Sequence, residues 1–443
     1  MKRNFYLLSL LFALALSGAA KKPNIVCILV DDLGYSDLSS FGGKDIRTPA
    51  IDGLMKAGLR FDQFYSNCTV CTPTRASLLT GRYPDMVGAP GVIRQWAKDS
   101  WGYFKPSGPT LPDLMGKAGY HTGMVGKWHL GFESPNVPND RGFDFFHGFL
   151  ADMMDDYWTH LRGGVNWMRL NKEVVKPKGH ATEVFTRWGI EYIKEQAADK
   201  KKPFFLYLAY NAPHFPIQPP KDWLEKVQKR EPNLNKKRST NVAFVEHLDH
   251  EIGKFLAAVK DAGIADDTLI VFSSDNGGSL PHGALNGELR GGKQDHWEGG
   301  IRVPTCAVWP GTIPVGRTDA LGITMDLLPT FCEIAGAKVE HEIDGLSLAP
   351  VLLKGAKGDP TRTLIWVRRE GNRRYQGRAY YAIRRGPWKL LQNTAFEPMQ
   401  LVNLANDPKE AKPKPPNGKI ANELSRALMD HLLRAGKIPW QKP

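Results

Sequence analysis

Three short apolar runs constrain the fold of this chain more than any other feature of its sequence. Each consists almost entirely of aliphatic and aromatic residues: Asn24 to Val30 (NIVCILV), Pro203 to Tyr210 (PFFLYLAY) and Thr268 to Ser274 (TLIVFSS). A strand that is apolar on both faces is typical of a parallel sheet with helices packed on both sides. Helical patterns lie between the runs, for example at Ala181 to Ala198. The sequence therefore predicts an α/β fold.

The length of the chain, 443 residues, favours one large domain and a smaller one. A boundary is predicted near Leu353 to Pro360, where Gly, Lys and Asp interrupt the apolar pattern. Short alternating segments follow and predict antiparallel strands, and Ile420 to Leu433 predicts a closing amphipathic helix. We expect a large domain over residues 21–355, with a central, mostly parallel sheet flanked by helices. Residues 356–443 would form a smaller α+β domain with an antiparallel sheet.

The N-terminus has the pattern of a secretory signal peptide. Lys2 and Arg3 precede the apolar run Phe5 to Leu16, and small residues follow up to Ala20. The run is too short to span a bilayer comfortably. We therefore expect residues 1–20 to be removed and the protein to be exported, either periplasmic or secreted. No later run is long and apolar enough to predict a membrane span.

The charge balance is basic, with a formal net charge of +13. Such a surface favours acidic partners. The sequence contains no recognised nucleic-acid module and no interleaved basic and aromatic repeat, so an anionic substrate fits better than a nucleic acid. Seven arginines crowd the C-terminal part and predict either a solvated sheet face or a rim for a polyanion: Arg368, Arg369, Arg373, Arg374, Arg378, Arg384 and Arg385.

Polar pairs end two of the predicted strands. Asp31 and Asp32 follow the first run, and Asp275 and Asn276 follow the third. In open α/β sheets, ligands bind beyond the carboxyl ends of the strands. Either pair alone is explained by a turn. Together they offer hard oxygen ligands without histidine or thiolate, a set that suits Ca²⁺ or Mg²⁺ better than Zn²⁺.

A cysteine opens the segment Cys71 to Pro84, which reads CTPTRASLLTGRYP. Pro73 suits the first position of a helix, and Gly81 suits its left-handed end. Arg75 lies on the same helical face as the first turn. A helix N-terminus with a nearby arginine attracts anions, so the segment predicts an anion pocket beside Cys71. An isolated match of this kind is equally well a buried cysteine near a surface arginine.

The full segment resembles the signature of the type I, formylglycine-dependent sulfatases, arylsulfatase-like enzymes of the alkaline phosphatase superfamily. Further strings resemble motifs of the same family: GKWHLG at 126–131, APH at 212–214, and RGGK with EGGIRVP between 290 and 304. The resemblance implies an alkaline-phosphatase-like domain. It also implies that a formylglycine-generating enzyme oxidises Cys71 to formylglycine, whose hydrated aldehyde is the nucleophile.

The resemblance further assigns roles to individual residues. The metal ligands would be Asp31, Asp32, Asp275, Asn276 and the modified Cys71, binding Ca²⁺ or Mg²⁺. Arg75 and Lys127 would hold the formylglycine, and Lys293 and His214 would bind the sulfate. His214 is also a candidate proton donor to the leaving alcohol. His129 would take a proton from the second hydroxyl, which releases the sulfate and restores the aldehyde.

These features predict the hydrolysis of sulfate monoesters, with a sulfated carbohydrate as the expected substrate. Two alternatives remain at this stage. The same nucleophile could hydrolyse phosphonate or phosphate esters, or the chain could be a polyanion-binding protein whose Cys71 is never oxidised. Residues Asp152 to Lys178 match no family motif; they predict a loop over the site in which selectivity resides. The five cysteines, Cys27, Cys68, Cys71, Cys306 and Cys332, leave disulfide pairing open.

Overall fold

The structure is a computed structural model that describes residues 22–199, 202–370 and 379–442. The predicted signal peptide, residues 1–20, lies outside the described residues. Across the described ranges, no helix combines the length and the apolar character that a bilayer crossing requires.

The chain alternates strands and helices as far as the last fifth. The strands are β1 (Asn24–Val30), β2 (Leu59–Phe61), β3 (Phe64–Tyr65), β4 (His121–Lys127), β5 (Phe145–Phe149), β6 (Leu161–Arg162), β7 (Val165–Asn166), β8 (Met168–Leu170), β9 (Glu173–Val174), β10 (Phe204–Ala209), β11 (Thr268–Ser274), β12 (Thr305–Val308), β13 (Gly316–Thr318), β14 (Gly322–Ile323), β15 (Thr363–Arg369), β16 (Ala379–Arg385), β17 (Trp388–Gln392) and β18 (Gln400–Asn403). The helices are α1 (Pro49–Ala57), α2 (Cys71–Thr80), α3 (Leu111–Lys117), α4 (Ala181–Ala198), α5 (Lys221–Arg230), α6 (Lys236–Asp261), α7 (Glu298–Ile301), α8 (Leu327–Ala335), α9 (Ala349–Lys354) and α10 (Gly418–Ala435).

A ten-stranded mixed sheet forms the centre, in the order β13-β2-β12-β11-β1-β10-β4-β5-β8-β9. The five neighbours from β11 to β5 are parallel, whereas β12, β8 and β9 pair antiparallel towards the edges. β1 lies between β10 and β11, and nearly all of its side chains are buried. Apolar clusters cover both faces of the sheet, which explains why its central strands lack polar alternation. The predicted α/β fold is confirmed.

The last fifth of the chain builds a separate four-stranded antiparallel sheet, in the order β15-β16-β17-β18, with α10 packed against it. Three of its strands and its helix agree with the sequence-based expectation. The fourth, β18, was not predicted, because its four residues carry no alternation that distinguishes them from a loop. Trp366 and Leu424 belong to an apolar cluster that also contains Tyr65 of β3 and Ile323 of β14, so the C-terminal sheet packs against the two-stranded sheet β3-β14.

Some local expectations were wrong. The segment predicted as one loop, residues 152–178, contains four short strands, two of which, β8 and β9, extend the central sheet. β2 and β3 follow each other closely in sequence but belong to different sheets, because β2 joins the central sheet and β3 pairs with β14. Pro73 is the third residue of α2, not the first, because the helix already begins at Cys71. Gly81 ends α2 in the left-handed region, with φ at 65°, as expected.

Several basic side chains are buried. Arg238, the third residue of α6, is buried between Asp37 and Asp45. Arg368 and Arg384, two of the seven C-terminal arginines, are also buried; Arg373, Arg374 and Arg378 lie outside the described residues. All five cysteines are buried and unpaired, so the open question of disulfide pairing has a negative answer in this structure.

Candidate active site

The carboxyl ends of β1 and β11 bring the two polar pairs together. The strands are adjacent and parallel, with Val30 opposite Ser274, so Asp31 and Asp275 emerge side by side. The backbone N–H of Asp32 donates to Asp275 Oδ1 at 3.3 Å, and Asn276 Nδ2 donates to Asp32 Oδ1 at 2.8 Å. All four side chains are buried. This is the convergence that the strand ends predicted.

The N-terminus of α2 places Cys71 against this group. Cys71 is the first residue of the helix, is buried, and its thiol donates to Asp31 Oδ1 at 3.2 Å. The ammonium of Lys293 lies 3.7 Å from Cys71 Sγ. Burial, followed by the charge of Asp31, raises the pKa of the Cys71 thiol well above its usual value. The unmodified side chain is therefore a neutral thiol in a highly charged setting.

Arg75, one helical turn further on, joins both strand ends. Its Nη2 lies 2.7 Å from Asp275 Oδ2 and 3.3 Å from Asp31 Oδ2, and its Nη1 donates to the carbonyl of Lys127 at 3.0 Å. The side chain is completely buried. Arg75 therefore fixes α2, β1, β11 and the end of β4 relative to one another.

Lys127 is the last residue of β4, next to β10 in the sheet, and it forms a buried ion pair with Asp31. Burial opposes ionisation of Asp31. The charges of Lys127, His214 and Arg75 outweigh it and hold the pKa of Asp31 well below its usual value. Asp31 is therefore an anion, with Lys127, His214 and Arg75 around it.

Lys293 and His214 lie beside Asp32. The Lys293 ammonium is 2.7 Å from the Asp32 carboxylate, and His214 Nε2 is 3.7 Å from Asp32 Oδ2. His214 Nδ1 lies 2.6 Å from the carbonyl oxygen of Phe215, which turns Nε2 towards the site. Burial, followed by the charge of Lys293, lowers the pKa of His214 to about 4.

His129 is buried two residues beyond the end of β4. Its Nε2 lies 3.1 Å from the carbonyl oxygen of Ile93, and its Nδ1 has no hydrogen-bond partner among the described residues. Burial, followed by the charges of Lys127 and Arg75, holds the pKa of His129 well below its usual value. A neutral ring that donates from Nε2–H to Ile93 keeps a lone pair on Nδ1, which is the arrangement of a general base.

The site also has the donor set of a metal centre. Asp31, Asp32, Cys71 and His214 can each bring one ligand atom within 4.8 Å of the others. Burial, followed by repulsion from Asp31, raises the pKa of Asp275 to about 7. Asn276 Oδ1 is buried and lacks a partner within the described part of the chain. Crowded carboxylates and an unsatisfied amide oxygen fit an oxygen-preferring divalent cation.

A cavity of about 160 Å³ opens onto these groups, with Asp32, Cys71, His129, His214 and Lys293 on its wall. Sequence reasoning missed several other wall residues, among them Arg94, Ser279, His282, Gln294 and Glu370. Arg94 Nη1 donates to Glu370 Oε2 at 3.0 Å across 276 positions of sequence. Nothing local in the sequence marks such a pair, so no pattern could have found it.

Three wall residues adopt backbone conformations that are uncommon for residues other than glycine. Asp32, His129 and Gln294 have φ values of 66°, 62° and 81°. Left-handed backbone in non-glycine residues costs free energy and persists where the surrounding structure enforces it, commonly at functional sites. The strained backbone marks Gln294 as a candidate functional residue, whereas its sequence context does not.

Comparison with known proteins agrees with this geometry. Residues 23–337 match the family described as Sulfatase, and residues 292–435 match the family described as N-sulphoglucosamine sulphohydrolase, C-terminal. N-acetylgalactosamine-6-sulfatase of Homo sapiens is 34% identical over 76% of this chain and 67% of its own length. Arylsulfatase A of Homo sapiens is 33% identical over 91% of this chain and 85% of its own length.

A solved structure titled Ps i-CgsB in complex with k-i-k-neocarrahexaose superposes with a TM-score of 0.80 at 34% identity, covering 94% of this chain and 92% of that one. The chain belongs to the sulfatase family of the alkaline phosphatase superfamily. It is a sulfuric ester hydrolase. The family membership that the sequence motifs predicted is therefore confirmed.

Proposed function

We propose that this protein hydrolyses sulfate monoesters of a carbohydrate through a formylglycine made from Cys71, with a divalent cation bound beside it. The observation that carries the proposal is the position of Cys71. It opens α2 within hydrogen-bond distance of Asp31 and close to Lys293, at the point where two strand ends supply four oxygen-bearing side chains. A sulfate ester needs its negative oxygens neutralised while a nucleophile attacks, and this arrangement supplies both.

The cation would be held by Asp31, Asp32, Asp275, Asn276 and the modified Cys71, and Ca²⁺ is the proposed ion, with Mg²⁺ as the alternative. The raised pKa of Asp275 and the unpartnered Asn276 Oδ1 support this set. When bound, such an ion would make a hydroxyl of hydrated formylglycine more acidic and would offset negative charge on the sulfate.

Cys71 itself must first be converted, for which a formylglycine-generating enzyme is the proposed partner during maturation. The hydrated aldehyde would supply the attacking hydroxyl. Arg75 and Lys127 would hold the modified side chain, since both already contact Asp31 beside it. Cys71 Sγ stands in for an oxygen of the modified residue in these contacts.

Lys293 and His214 would bind the sulfate. Both line the small cavity, and the Lys293 ammonium lies 3.7 Å from Cys71 Sγ. His214 Nδ1 is engaged by the Phe215 carbonyl, so Nε2 is the atom that would face the ester oxygen. Proton donation to the leaving alcohol requires that Nε2 carry a proton when the ester is bound.

His129 would accept, at Nδ1, the proton of the second hydroxyl of the modified residue, the step that releases sulfate. Its low pKa and its unpartnered Nδ1 support this role, because the ring is neutral and its lone pair is available. The contact between Nε2 and the Ile93 carbonyl keeps the ring in that tautomer.

The substrate is proposed to be a sulfated carbohydrate. Names of similar proteins support this class, since one is an N-acetylgalactosamine-6-sulfatase and another was solved with a neocarrahexaose. The net charge of +13 favours an anionic polymer, and the N-terminal signal pattern favours action outside the cytoplasm, in the periplasm or the medium. We further propose that residues 21–355 form the catalytic domain and residues 356–443 a C-terminal domain.

Parallel assays test the proposal. Wild-type protein, produced with a formylglycine-generating enzyme, is given 4-nitrophenyl sulfate and 4-nitrophenyl phosphate, and Cys71→Ala serves as the control. We expect sulfate release by the wild type, much slower phosphate release, and no release by the variant. A preference for the phosphate ester would favour the phosphatase alternative. Salt-sensitive binding of sulfated polymer without turnover would favour a non-catalytic polyanion-binding protein.

A further inference from the structure

A second cavity adjoins the catalytic one and is three times as large. Its volume is about 520 Å³, compared with about 160 Å³ for the catalytic cavity. We refer to it as the aromatic cavity, because Trp101, Tyr103, Phe132 and Trp167 lie on its wall. Volumes between roughly 300 and 1,000 Å³ are usual for small-molecule sites.

The two cavities share one wall. Val92 and Arg94 line the catalytic cavity, whereas Ile93, Arg94 and Gln95 line the aromatic cavity. The segment that follows β4 behaves in the same way, since His129 faces the catalytic cavity and Leu130 and Gly131 face the aromatic one. Arg94 is the residue that lines both cavities, so a molecule that occupied both would pass beside its side chain.

The shape and chemistry of the aromatic cavity suit a sugar ring. The rings of Phe132 and Trp167 contact each other edge to face at 4.8 Å, and Trp101 is stacked on Trp440 at the same separation. These pairs hold the aromatic walls in place. Flat aromatic surfaces can cover the C–H face of a sugar, and the polar groups at the edge can bind its hydroxyls.

Two nitrogen donors on the wall are unsatisfied. Trp167 Nε1 and Gln95 Nε2 are buried and have no hydrogen-bond acceptor anywhere in ranges 22–199, 202–370 and 379–442. A buried N–H without an acceptor costs about 1–3 kcal/mol, so each such group calls for an explanation. Hydroxyl oxygens of a carbohydrate are acceptors of the required kind. Both nitrogens are closed off from solvent in this structure, so a sugar hydroxyl would reach them only after the Trp167 and Gln95 side chains change rotamer.

We propose that the aromatic cavity binds the sugar joined to the one that carries the scissile sulfate, so that the enzyme acts on oligosaccharide or polysaccharide chains rather than on sulfated monosaccharides. The inference rests on the proposed function and extends it by one subsite. It also gives a specific role to the segment 152–178, because Trp167 belongs to it. Lys442 on the wall is paired with Glu133 of the same wall, which leaves Lys98 as the lysine whose charge would meet a further sulfate group of the chain.

The test compares substrates of different length. The probes are a sulfated carrageenan hexasaccharide, a chondroitin 6-sulfate hexasaccharide, the matching sulfated monosaccharides, and 4-nitrophenyl sulfate. The variants are Trp167→Ala and Trp101→Ala. The matched control is Trp96→Ala, in the same loop as Trp101, because Trp96 is 57% exposed and does not line the cavity.

We expect the wild type to prefer one of the hexasaccharides to its monosaccharide. Trp167→Ala and Trp101→Ala should each lower kcat/KM on that hexasaccharide about tenfold or more, mainly through KM, where tenfold corresponds to about 1.4 kcal/mol. Activity on 4-nitrophenyl sulfate should change less than about twofold. Trp96→Ala should match the wild type on both substrates.

Equal losses on the hexasaccharide and on 4-nitrophenyl sulfate would overturn the inference, since they would show a general structural defect. The inference would also be overturned if neither variant changed activity on the hexasaccharide. It would be overturned as well if the wild type cleaved 4-nitrophenyl sulfate but did not prefer the hexasaccharide to the monosaccharide. The proposed function would remain valid after any of these three outcomes. A wild type that cleaves no sulfate ester would instead overturn the proposed function. In that case, calorimetric titration of Cys71→Ala with the two hexasaccharides would test separately whether the aromatic cavity binds a sugar chain. Absence of binding would overturn the inference.

Discussion

Arg75 donates from Nε at 3.1 Å and from Nη2 at 2.7 Å to the same oxygen of Asp275, and both side chains are completely excluded from solvent. This pair links the helix that begins at Cys71 to the strand end that carries the second polar pair. Because a buried charge without a partner is very costly, the pair also makes the folded state depend on Arg75.

Arg75→Met should therefore reduce both stability and activity. The substitution keeps much of the side-chain volume but leaves Asp275 and Asp31 without their shared cation, for an expected cost of about 3–5 kcal/mol in the free energy of unfolding. Urea denaturation measures it. The matched control is Arg317→Met, which removes an exposed pair with Asp62 and should cost less than about 1 kcal/mol. Equal effects of the two substitutions would contradict the buried role of Arg75.

Removal of divalent cations should lower the melting temperature. After dialysis against EDTA, only Arg75, Lys127 and Lys293 offset the mutual repulsion of the three carboxylates at this site. Added Ca²⁺ should then restore stability by about 2.7 kcal/mol at 100 times its Kd. Thermal unfolding with and without CaCl₂ measures the increment.

Asp32→Asn should shrink that increment, because it removes one anionic ligand, whereas Asp266→Asn, at an exposed position, should leave it unchanged. A melting temperature that Ca²⁺ and Mg²⁺ both fail to raise would count against the metal site.

A second buried charge cluster links the C-terminal sheet to helix α7. The ammonium of Lys389, on β17, lies 3.0 Å from Glu298 at the start of α7 and 2.8 Å from Glu410, and all three side chains are buried. Although burial opposes ionisation, Lys389 is the first of the charges that lower the pKa of Glu298 to about 2.

Lys389→Met should cost about 3–5 kcal/mol of stability, because it strands two buried carboxylates. Lys409→Met, which breaks an exposed pair with Glu288, is the control and should cost less than about 1 kcal/mol. Denaturant titrations of both variants at pH 7 give the comparison, and a stable Lys389→Met protein would show that the cluster contributes little.

Stability should decrease in mild acid because of buried neutral histidines. His180 donates from Nε2 to the Gln218 carbonyl and accepts at Nδ1 from the Thr182 backbone, and burial lowers its pKa to about 4. The unfolded chain, with a histidine pKa near 6.5, takes up a proton that the folded chain does not. The contribution of His180 is therefore complete above pH 6.5 and is lost as the pH falls towards 4.

His180→Asn should reduce this acid sensitivity, since asparagine can accept from Thr182 but does not titrate. Between pH 7 and pH 4.5, the wild type should lose about 2 kcal/mol more than the variant. Unfolding free energies at the two pH values provide the measurement, and identical pH slopes would refute the assignment.

The parts of the molecule that the sequence predicts well are those that local patterns determine. The continuous apolar runs identified β1, β10 and β11 almost to the residue, because a strand buried on both faces tolerates no polar side chain. The strand-end pairs were expected to converge because parallel strands end at one edge, and the structure brings them together beside Cys71.

Other parts depend on contacts that no local pattern records. Arg94 and Glu370 meet only after the C-terminal sheet docks, and the left-handed backbone of Gln294 follows from its surroundings rather than from its residue type. Short strands such as β8 are defined by their pairing with another strand, here β5. The sequence of residues 152–178 alone therefore predicts a loop.

The most direct measurement is the mass of the peptide that contains Cys71, taken from protein produced with a formylglycine-generating enzyme and compared with sulfate release by the same sample. The account predicts that an aldehyde replaces the CH₂SH group of Cys71 and that the rate of 4-nitrophenyl sulfate hydrolysis rises in proportion to the modified fraction. Full hydrolytic activity in a sample whose Cys71 is entirely an unmodified thiol would contradict it.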